Sequence, residues 1–270
     1  MKIILLTGSE LRHEFFRKYI AIQKGIQVQL TTCESLKGNL SETVNLDNNN
    51  NLRKLHLSSR AQYEKDFFGL FCDSTEDKSK PTFINRGDIN NENVVSKIIK
   101  LKPDLIISYG CSIIRSELLE IFKGRFINIH LGLSPYYKGS GTNYWPFVND
   151  ELQFVGTTFM YIDSGVDTGE IIHQIRGKFF HGDNIHQVGN RLIRDSVFEC
   201  VKLIQGFEKI EKIKPLDINM SINNIYKKKD FTETSLEIAH KNLSEGIISK
   251  YLENKSNIDL LYPIIQNRIN

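Results

Sequence analysis

"NENVVSKIIKLKPDLIISYGCSIIRSELLEIFKGRFINIHL", residues 91–131, alternates two helical patterns with two apolar strands. Residues 91–102 and 115–122 predict helices, and residues 103–110 and 125–131 predict strands. Both strands are continuous apolar runs, which are typical of parallel strands buried on both faces of a sheet. The segment therefore predicts an α/β fold with helices on both sides of a mostly parallel sheet.

The same alternation continues on both sides of this segment. Upstream, we predict strands at 2–8, 26–31 and 81–85, and helices at 9–25 and 57–71. Downstream, we predict two strands that can pair antiparallel (155–162 and 169–180) and a helix from 183 to about 205. The complete pattern is that of a doubly wound, Rossmann-like sheet.

Composition divides the chain near residue 206. Residues 1–205 carry the α/β pattern and form the predicted main domain. Residues 206–270 are more basic and irregular, and they predict a small C-terminal extension with a helix at about 234–253. The polar stretch 34–52 predicts a loop.

The composition also excludes several classes of protein. The net charge of +3 over 270 residues is too slight to indicate a nucleic-acid-binding protein. The longest apolar runs are far shorter than the roughly 20 residues of a membrane helix, and the N-terminus lacks a signal-peptide core. Four cysteines lie far apart with no CxxC, so we expect no disulfide framework, no metal site and a cytoplasmic location.

Two polar residues lie near the carboxyl end of the strand at 125–131. Asn128 and His130 are two residues apart, so their side chains point to the same face. Polar groups buried there cost free energy unless they find partners, and ligands of open α/β sheets bind at the carboxyl ends of the strands. A purely structural role in the core stays open, but the Gly-rich loop that follows favours a binding site.

The turn DSGVDTG (163–169) supplies two carboxylates, Asp163 and Asp167. Asp and Gly are also ordinary hairpin residues, so the turn alone indicates little. Together with Asn128 and His130, however, it suits acyl transfer to an amine. An Asn amide can donate to a developing oxyanion, and a carboxylate favours the charged form of His and can accept a proton.

The motifs INIHLGLSPYYKG (127–139), VGTTFMYIDSGVDTGEII (155–172) and HGDNIHQVGNRLI (181–193) resemble the 10-formyltetrahydrofolate-dependent formyltransferase family. That family combines an Asn-x-His at a strand end, a loop with Pro and Lys/Arg-Gly, and an Asp in a [V/I]-D-[T/A]-G turn. The resemblance covers roughly residues 1–205 and implies a catalytic domain there. LGLSP (131–135) departs from the Pro-Ser-Leu-Leu-Pro of much of the family, and only Pro135 and the following YYKG keep the family's form.

The resemblance also implies roles for individual residues. Asn128 and His130 are expected to stabilise the tetrahedral intermediate, and Asp167 to keep His130 charged and assist proton removal. The formyl donor implied is 10-formyltetrahydrofolate, with no metal. Its pterin is expected against two segments whose residues here are Cys111, Ser112, Ile113, Ile114, Asp163 and Gly165.

The resemblance leaves the acceptor amine less well defined. Methionyl-tRNA formyltransferases have a larger C-terminal domain, and glycinamide ribonucleotide transformylases usually end soon after the long helix. The layout therefore favours sugar-nucleotide N-formyltransferases, which formylate an amino deoxysugar for surface polysaccharide (lipopolysaccharide) synthesis. Tyr136, Tyr137 and Lys138 are the candidate acceptor-binding residues, whereas Trp145 is expected to pack in the core.

Several alternatives stay open. The acceptor could instead be methionyl-tRNA or glycinamide ribonucleotide. The protein could also hydrolyse formyltetrahydrofolate, or bind a nucleotide without acting as an enzyme. Hydrolases of this type usually carry an extra N-terminal domain, whereas here the catalytic pattern begins at residue 1. The lysines at 227–229 predict a solvated surface, and the extension is a candidate surface for a homodimer.

Overall fold

A computed structural model describes residues 1–35, 37, 51–165, 167–210 and 224–267. Most of the polar stretch predicted as a loop at 34–52 lies outside the described residues. The strands are β1 Lys2–Thr7, β2 Gln27–Glu34, β3 Pro81–Ile84, β4 Leu105–Tyr109, β5 Phe126–His130, β6 Tyr137–Gly139, β7 Gly156–Tyr161, β8 Ile171–Arg176 and β9 Asn224–Tyr226. The helices are α1 Leu11–Ala21, α2 Asn51–Ser74, α3 Glu92–Leu101, α4 Ser116–Ile121, α5 Trp145–Val148, α6 Ile185–Gln205, α7 Glu233–Ser244 and α8 Ile247–Leu261.

A seven-stranded sheet organises the fold in the order β3-β2-β1-β4-β5-β7-β8. The first five strands in this order (β3, β2, β1, β4 and β5) run parallel. Strand β7 is antiparallel to β5, and β8 is antiparallel to β7. The predicted α/β class and the mostly parallel sheet are therefore confirmed. The strand direction changes between β5 and β7. The carboxyl end of β5 lies beside this change, at the end of the sheet where loops gather.

Alternate residues of β1 point into two separate cores. Ile3 and Leu5 pack with residues of α1, α2 and α6 on one face of the sheet. Ile4 and Leu6 pack with residues of α3 and α4 on the other. Both faces of the sheet are covered, which explains why the central strands are continuous apolar runs.

The C-terminal segment packs closely against the main domain. Ala239 and Tyr251 share one hydrophobic cluster with Phe147 and Leu152. The helix predicted at 234–253 is in fact two helices, because Gly246 takes a left-handed φ of 79° and ends the first. The domain boundary near 206 and a homodimer through this segment stay predictions.

Two further observations concern the residues that the structure describes. None of their helices combines the length and apolar character needed to cross a membrane. All four cysteines are free thiols, and three of them are buried.

Candidate active site

The carboxyl end of β5 places Asn128 beside Ser108 of the neighbouring strand. The two residues are paired in the register between β4 and β5. The Ser108 hydroxyl donates to Asn128 Oδ1 over 2.9 Å. This bond occupies the acceptor end of the amide and directs its two N–H donors away from Ser108.

His130 ends β5 with an oxygen acceptor facing each ring nitrogen. Its Nε2 is 2.9 Å from the Tyr137 carbonyl, and its Nδ1 is 3.3 Å from Asp167 Oδ1. The side chain is only 6% exposed, so these contacts are shielded from water. Both neighbours accept hydrogen bonds, so each ring nitrogen of His130 has an acceptor within reach.

Asp167 reaches this histidine from the turn between β7 and β8. Its backbone has φ of 52°, a left-handed conformation that Asp adopts more readily than most residues. Its Oδ2 accepts from the Gly139 N–H over 2.9 Å. The structure thus brings together all three predicted catalytic residues, although they come from two separate segments.

A cavity of about 720 Å³ opens at this edge of the sheet, and Asn128, His130 and Asp167 line it. Its wall also includes every residue predicted to contact the pterin, namely Cys111, Ser112, Ile113, Ile114, Asp163 and Gly165. Ile114 is buried, and Met160 and Ile162 add apolar surface nearby. The described residues contain no cluster of His, Cys, Asp or Glu arranged to hold a metal ion.

The two predicted pterin segments are held by local hydrogen bonds. Glu34 accepts from the backbone N–H groups of Ser112 and Gly87, over 2.6 and 2.8 Å. Burial and the nearby Glu34 carboxylate raise the pKa of Cys111 to about 12, so its thiol stays neutral. Across the cavity, Asp163 Oδ1 accepts from Gly165 N–H and Thr168 Oγ1, which fixes the turn.

A second group of residues on the cavity wall, which we call the aromatic end, consists of the neighbouring rings of His56, Tyr144, His186 and Phe231. The His56 ring lies 4.7 Å from that of His186 and 5.6 Å from that of Phe231. Burial, His186 and Arg60 lower the pKa of His56 to about 3, and burial and Arg60 lower that of His186 to about 4. Both imidazoles are therefore neutral near pH 7.

An ion-pair network borders the aromatic end. Arg12 bridges Glu64 at 2.6 Å and Glu10 at 2.8 Å, and Arg60 lies 3.8 Å from Glu64. Burial opposes the charge on Glu10, but Arg12 and His13 outweigh it and lower its pKa. The opposite charges largely balance, so this wall is polar without a large net charge.

The structure does not bring the predicted acceptor residues Tyr136, Tyr137 and Lys138 to the described cavity wall. Tyr136 is buried and stacks on Phe154 with ring centroids 4.2 Å apart. Tyr137 is fully buried, and its hydroxyl donates to Glu151. Within the segment 136–139, Gly139 is the first residue on the cavity wall. The rings of Tyr136 and Tyr137 instead fill the core beneath the loop.

A family model described as formyl transferase matches residues 51–198. These 148 residues (198 − 51 + 1) are more than half of the chain. The chain belongs to the formyl transferase family. The predicted family is therefore confirmed.

Curated members of the formyl transferase family match only in part. The methionyl-tRNA formyltransferase of Thermodesulfovibrio yellowstonii is 32% identical over 46% of this chain and 39% of its own length. That of Prochlorococcus marinus is 26% identical over 68% of this chain and 55% of its own length. The chain thus spans about two fifths to just over half of these relatives.

Solved formyltransferases share the fold at low sequence identity. A sugar N-formyltransferase from Shewanella sp FDAARGOS_354 matches with a TM-score of 0.56 and 17% identity, over 88% of this chain and 86% of its own. Phosphoribosylglycinamide formyltransferase from Anaplasma phagocytophilum matches with a TM-score of 0.55 and 16% identity, over 80% of this chain and 91% of its own. An N-formyltransferase from Helicobacter canadensis, solved with folinic acid and dTDP-3-aminofucose, matches with a TM-score of 0.54 and 18% identity. The match covers 86% of this chain and 73% of that protein.

Sequence reasoning missed several residues of this formyl transferase cavity. His56, Arg60 and Glu64 are four residues apart on α2, a spacing that puts them on one helix face and that was readable in the sequence. Tyr226, Lys227 and Lys228 also line the cavity. They lie beyond the matched range 51–198, and the lysines resembled an ordinary solvated run.

Proposed function

We propose that this protein transfers a formyl group from 10-formyltetrahydrofolate to the amino group of a nucleotide-linked amino deoxysugar. The observation that carries the proposal is the meeting of Asn128, His130 and Asp167 at one edge of the cavity. An amide donor, an imidazole between two acceptors and a carboxylate are groups suited to acyl transfer to an amine. Membership of the formyl transferase family supports the same class of reaction.

Each of the three residues has a distinct part in the proposed reaction. The Asn128 amide donates to the oxygen on which negative charge develops when the amine attacks. His130 places a protonated imidazole beside the same oxygen, and Asp167 holds that imidazole in place. The Asp167 carboxylate also accepts the proton that the amine loses, directly or through water. The bond between the formyl carbon and N10 of the donor then breaks, N10 takes up one proton in place of the one that the amine lost, and tetrahydrofolate leaves while the formyl group stays on the amine. No covalent bond to the protein forms.

The donor, which supplies the formyl group, fits the wall formed by the segments 111–114 and 163–165. The buried Ile114 and the neutral thiol of Cys111 offer apolar contact to a flat heterocycle, and the loop backbone offers polar groups to its edge. The cavity volume of about 720 Å³ is in the range typical of small-molecule sites. The Helicobacter protein of this fold, solved with folinic acid, supports a folate donor.

The aromatic end supports an acceptor with a sugar, a base and phosphates. His56, Tyr144, His186 and Phe231 offer flat faces for stacking, and Lys227 and Lys228 bring positive charge to the same cavity. The Shewanella and Helicobacter proteins share the fold and support a sugar acceptor. We place the reaction in the cytoplasm, in keeping with the four free thiols.

Methionyl-tRNA is a second candidate acceptor, because the curated relatives quoted above carry the name methionyl-tRNA formyltransferase. The test is release of tetrahydrofolate from 10-formyltetrahydrofolate with a panel of acceptors. The panel contains dTDP- and UDP-linked amino sugars, methionyl-tRNA, glycinamide ribonucleotide and a reaction without acceptor. We expect release only with an amino-sugar nucleotide. Release with methionyl-tRNA alone, release without acceptor, or no release with any acceptor would each contradict the proposal.

A further inference from the structure

The short strand β6 contacts both His130 and Asp167. The carbonyl of Tyr137, its first residue, faces His130 Nε2 at 2.9 Å. The N–H of Gly139, its last residue, donates to Asp167 Oδ2 over 2.9 Å. The direct contact between His130 Nδ1 and Asp167 Oδ1 is longer, at 3.3 Å. The position of β6 therefore sets how the imidazole and the carboxylate meet.

Strand β9 of the C-terminal segment holds β6 in place. The two strands pair parallel, with Gly139 opposite Tyr226. The Ser140 N–H donates to the Tyr226 carbonyl over 2.8 Å. Gly139 has φ of 91°, and a Cβ there would lie 2.2 Å from that carbonyl oxygen, so only glycine allows this approach. In the part of the chain that the structure describes, β9 is the strand partner of β6.

The side chain of Tyr226 adds a second set of contacts. Its ring stacks on Trp145 with centroids 4.1 Å apart and planes 8° apart, and it lies nearly parallel to the Tyr137 ring. Asn149 Nδ2 donates over 2.8 Å to both the Tyr226 and the Tyr137 hydroxyl oxygens. Tyr226 thus contacts β6 in two ways: its backbone pairs with Gly139, and its ring packs against the ring of Tyr137.

We propose that Tyr226 is a positioning residue for formyl transfer, acting on His130 and Asp167 through β6. The inference rests on the proposed function, because it assumes that these two residues carry out the chemistry. Tyr226 lies outside the residues 51–198 that match the family model. The C-terminal segment therefore contributes to the catalytic geometry of this chain in addition to covering its core.

The kinetic test compares Tyr226→Ala and Tyr226→Phe with Ile225→Ala. Ile225 is a matched control on the same strand, because its side chain is 59% exposed. We expect Tyr226→Ala to lower kcat by about 10- to 100-fold, since misplacement by about 1 Å costs up to about 100-fold. Tyr226→Phe keeps the stacking and loses one hydrogen bond, so kcat falls by about 2- to 10-fold. Ile225→Ala keeps wild-type kcat and KM. Thermal melts establish that each variant is folded.

A second measurement needs no turnover. Long-range ¹H–¹⁵N spectra of the protein without substrates report the histidine rings, and His130→Asn assigns the His130 signals among those of the seven histidines. We expect Tyr226→Ala, and to a smaller degree Tyr226→Phe, to shift the His130 signals, and Ile225→Ala to leave them unchanged.

The two measurements separate the two proposals. A wild-type protein that formylates no acceptor contradicts the proposed function, whereas the spectra still test whether Tyr226 positions His130. Normal kcat in both Tyr226 variants overturns the positioning role, and so do unchanged His130 signals. A raised KM for the acceptor at unchanged kcat also overturns it and makes Tyr226 a substrate contact. If Tyr226→Ala fails to fold, Tyr226→Phe alone decides between these outcomes.

Discussion

Two parts of the cavity wall, around His130 and around His56, surround histidine in opposite ways. His130 lies between the Asp167 carboxylate and the Tyr137 carbonyl, so both of its nitrogens meet acceptors. His56 lies against the His186 ring and near Arg60, and its burial among them lowers its pKa to about 3. The first surrounding offers an acceptor to each ring nitrogen, and the second keeps the imidazole neutral. Under the proposed function, the neighbours, and not the residue type, assign catalysis to His130 and acceptor binding to His56.

The largest effect is expected from removing His130. His130→Ala should lower kcat by about 10²- to 10³-fold, the usual loss of one oxyanion-stabilising group. His56→Ala should mainly raise KM for the acceptor, because it removes a stacking face. Steady-state kinetics with the acceptor found in the panel measures both, with His181→Ala as the exposed-histidine control. Equal losses of kcat in the His130 and His56 variants would contradict the division between the two ends.

Asp167→Asn tests the negative charge beside His130 with little change in side-chain shape. The amide oxygen can still accept from the Gly139 N–H, but the side chain no longer carries negative charge or takes up a proton. We expect kcat to fall by about 10²-fold, in line with general acid–base contributions. A variant within about threefold of wild type, measured in the same assay, would show that the carboxylate charge is not needed.

Ser108→Ala should have a smaller effect. The Ser108 hydroxyl donates to Asn128 Oδ1 and so fixes which way the amide faces. Loss of one such bond corresponds to about 0.5–1.5 kcal/mol, or about a 2- to 10-fold lower kcat. Urea unfolding of the same variant separates a loss of stability from this loss of orientation. An unchanged kcat would mean that the Asn128 amide is oriented by the substrate.

The aromatic end should make stability depend on pH. The pKa values of His56 and His186 are lowered to about 3 and about 4, below the ordinary value of about 6.5 in the unfolded chain. Below about pH 6.5, these two histidines take up protons in the unfolded chain but stay neutral in the folded protein. The folded state is therefore most favoured above pH 6.5, and this advantage is lost as the pH falls from 6.5 to about 4 for His186 and to about 3 for His56.

Urea midpoints at pH 7, 6 and 5 check this expectation. His56→Phe should reduce the fall in the midpoint between pH 7 and pH 5, whereas His181→Gln should leave it as in wild type. His181 is an exposed residue, which makes it the matched control. Equal pH dependence in all three proteins would show that His56 is not held neutral by its surroundings.

The strands of the large sheet, and the position of Asn128 and His130 at the end of one of them, could be predicted because their signals are local. Continuous apolar runs predict buried parallel strands, and the spacing of Asn128 and His130 puts both on one face. The loop after His130 could not be predicted, because packing against Phe154 and Tyr226 decides which rings turn inward. Tyr136 and Tyr137 were consequently predicted on the wall although they fill the core.

The aromatic end and β9 had no local signal of their position. His56 lies 74 residues before His130 (130 − 56), and Tyr226 lies 96 residues after it (226 − 130). Only the tertiary fold brings such distant residues to one cavity. Within the C-terminal segment, the helical pattern ran through Gly246, whose left-handed φ divides it into two helices.

The pairing of β6 with β9 also has a consequence for the order in which the molecule is assembled. The ribosome makes the chain from its N-terminus, so the last strand of the seven-stranded sheet, ending at Arg176, emerges 48 residues before Asn224 (224 − 176). At that point Asn128, His130 and Asp167 have all been synthesised, whereas β9, the strand that pairs with β6, has not. Synthesis therefore finishes all seven strands of the sheet before it produces the strand that holds β6 against His130 and Asp167.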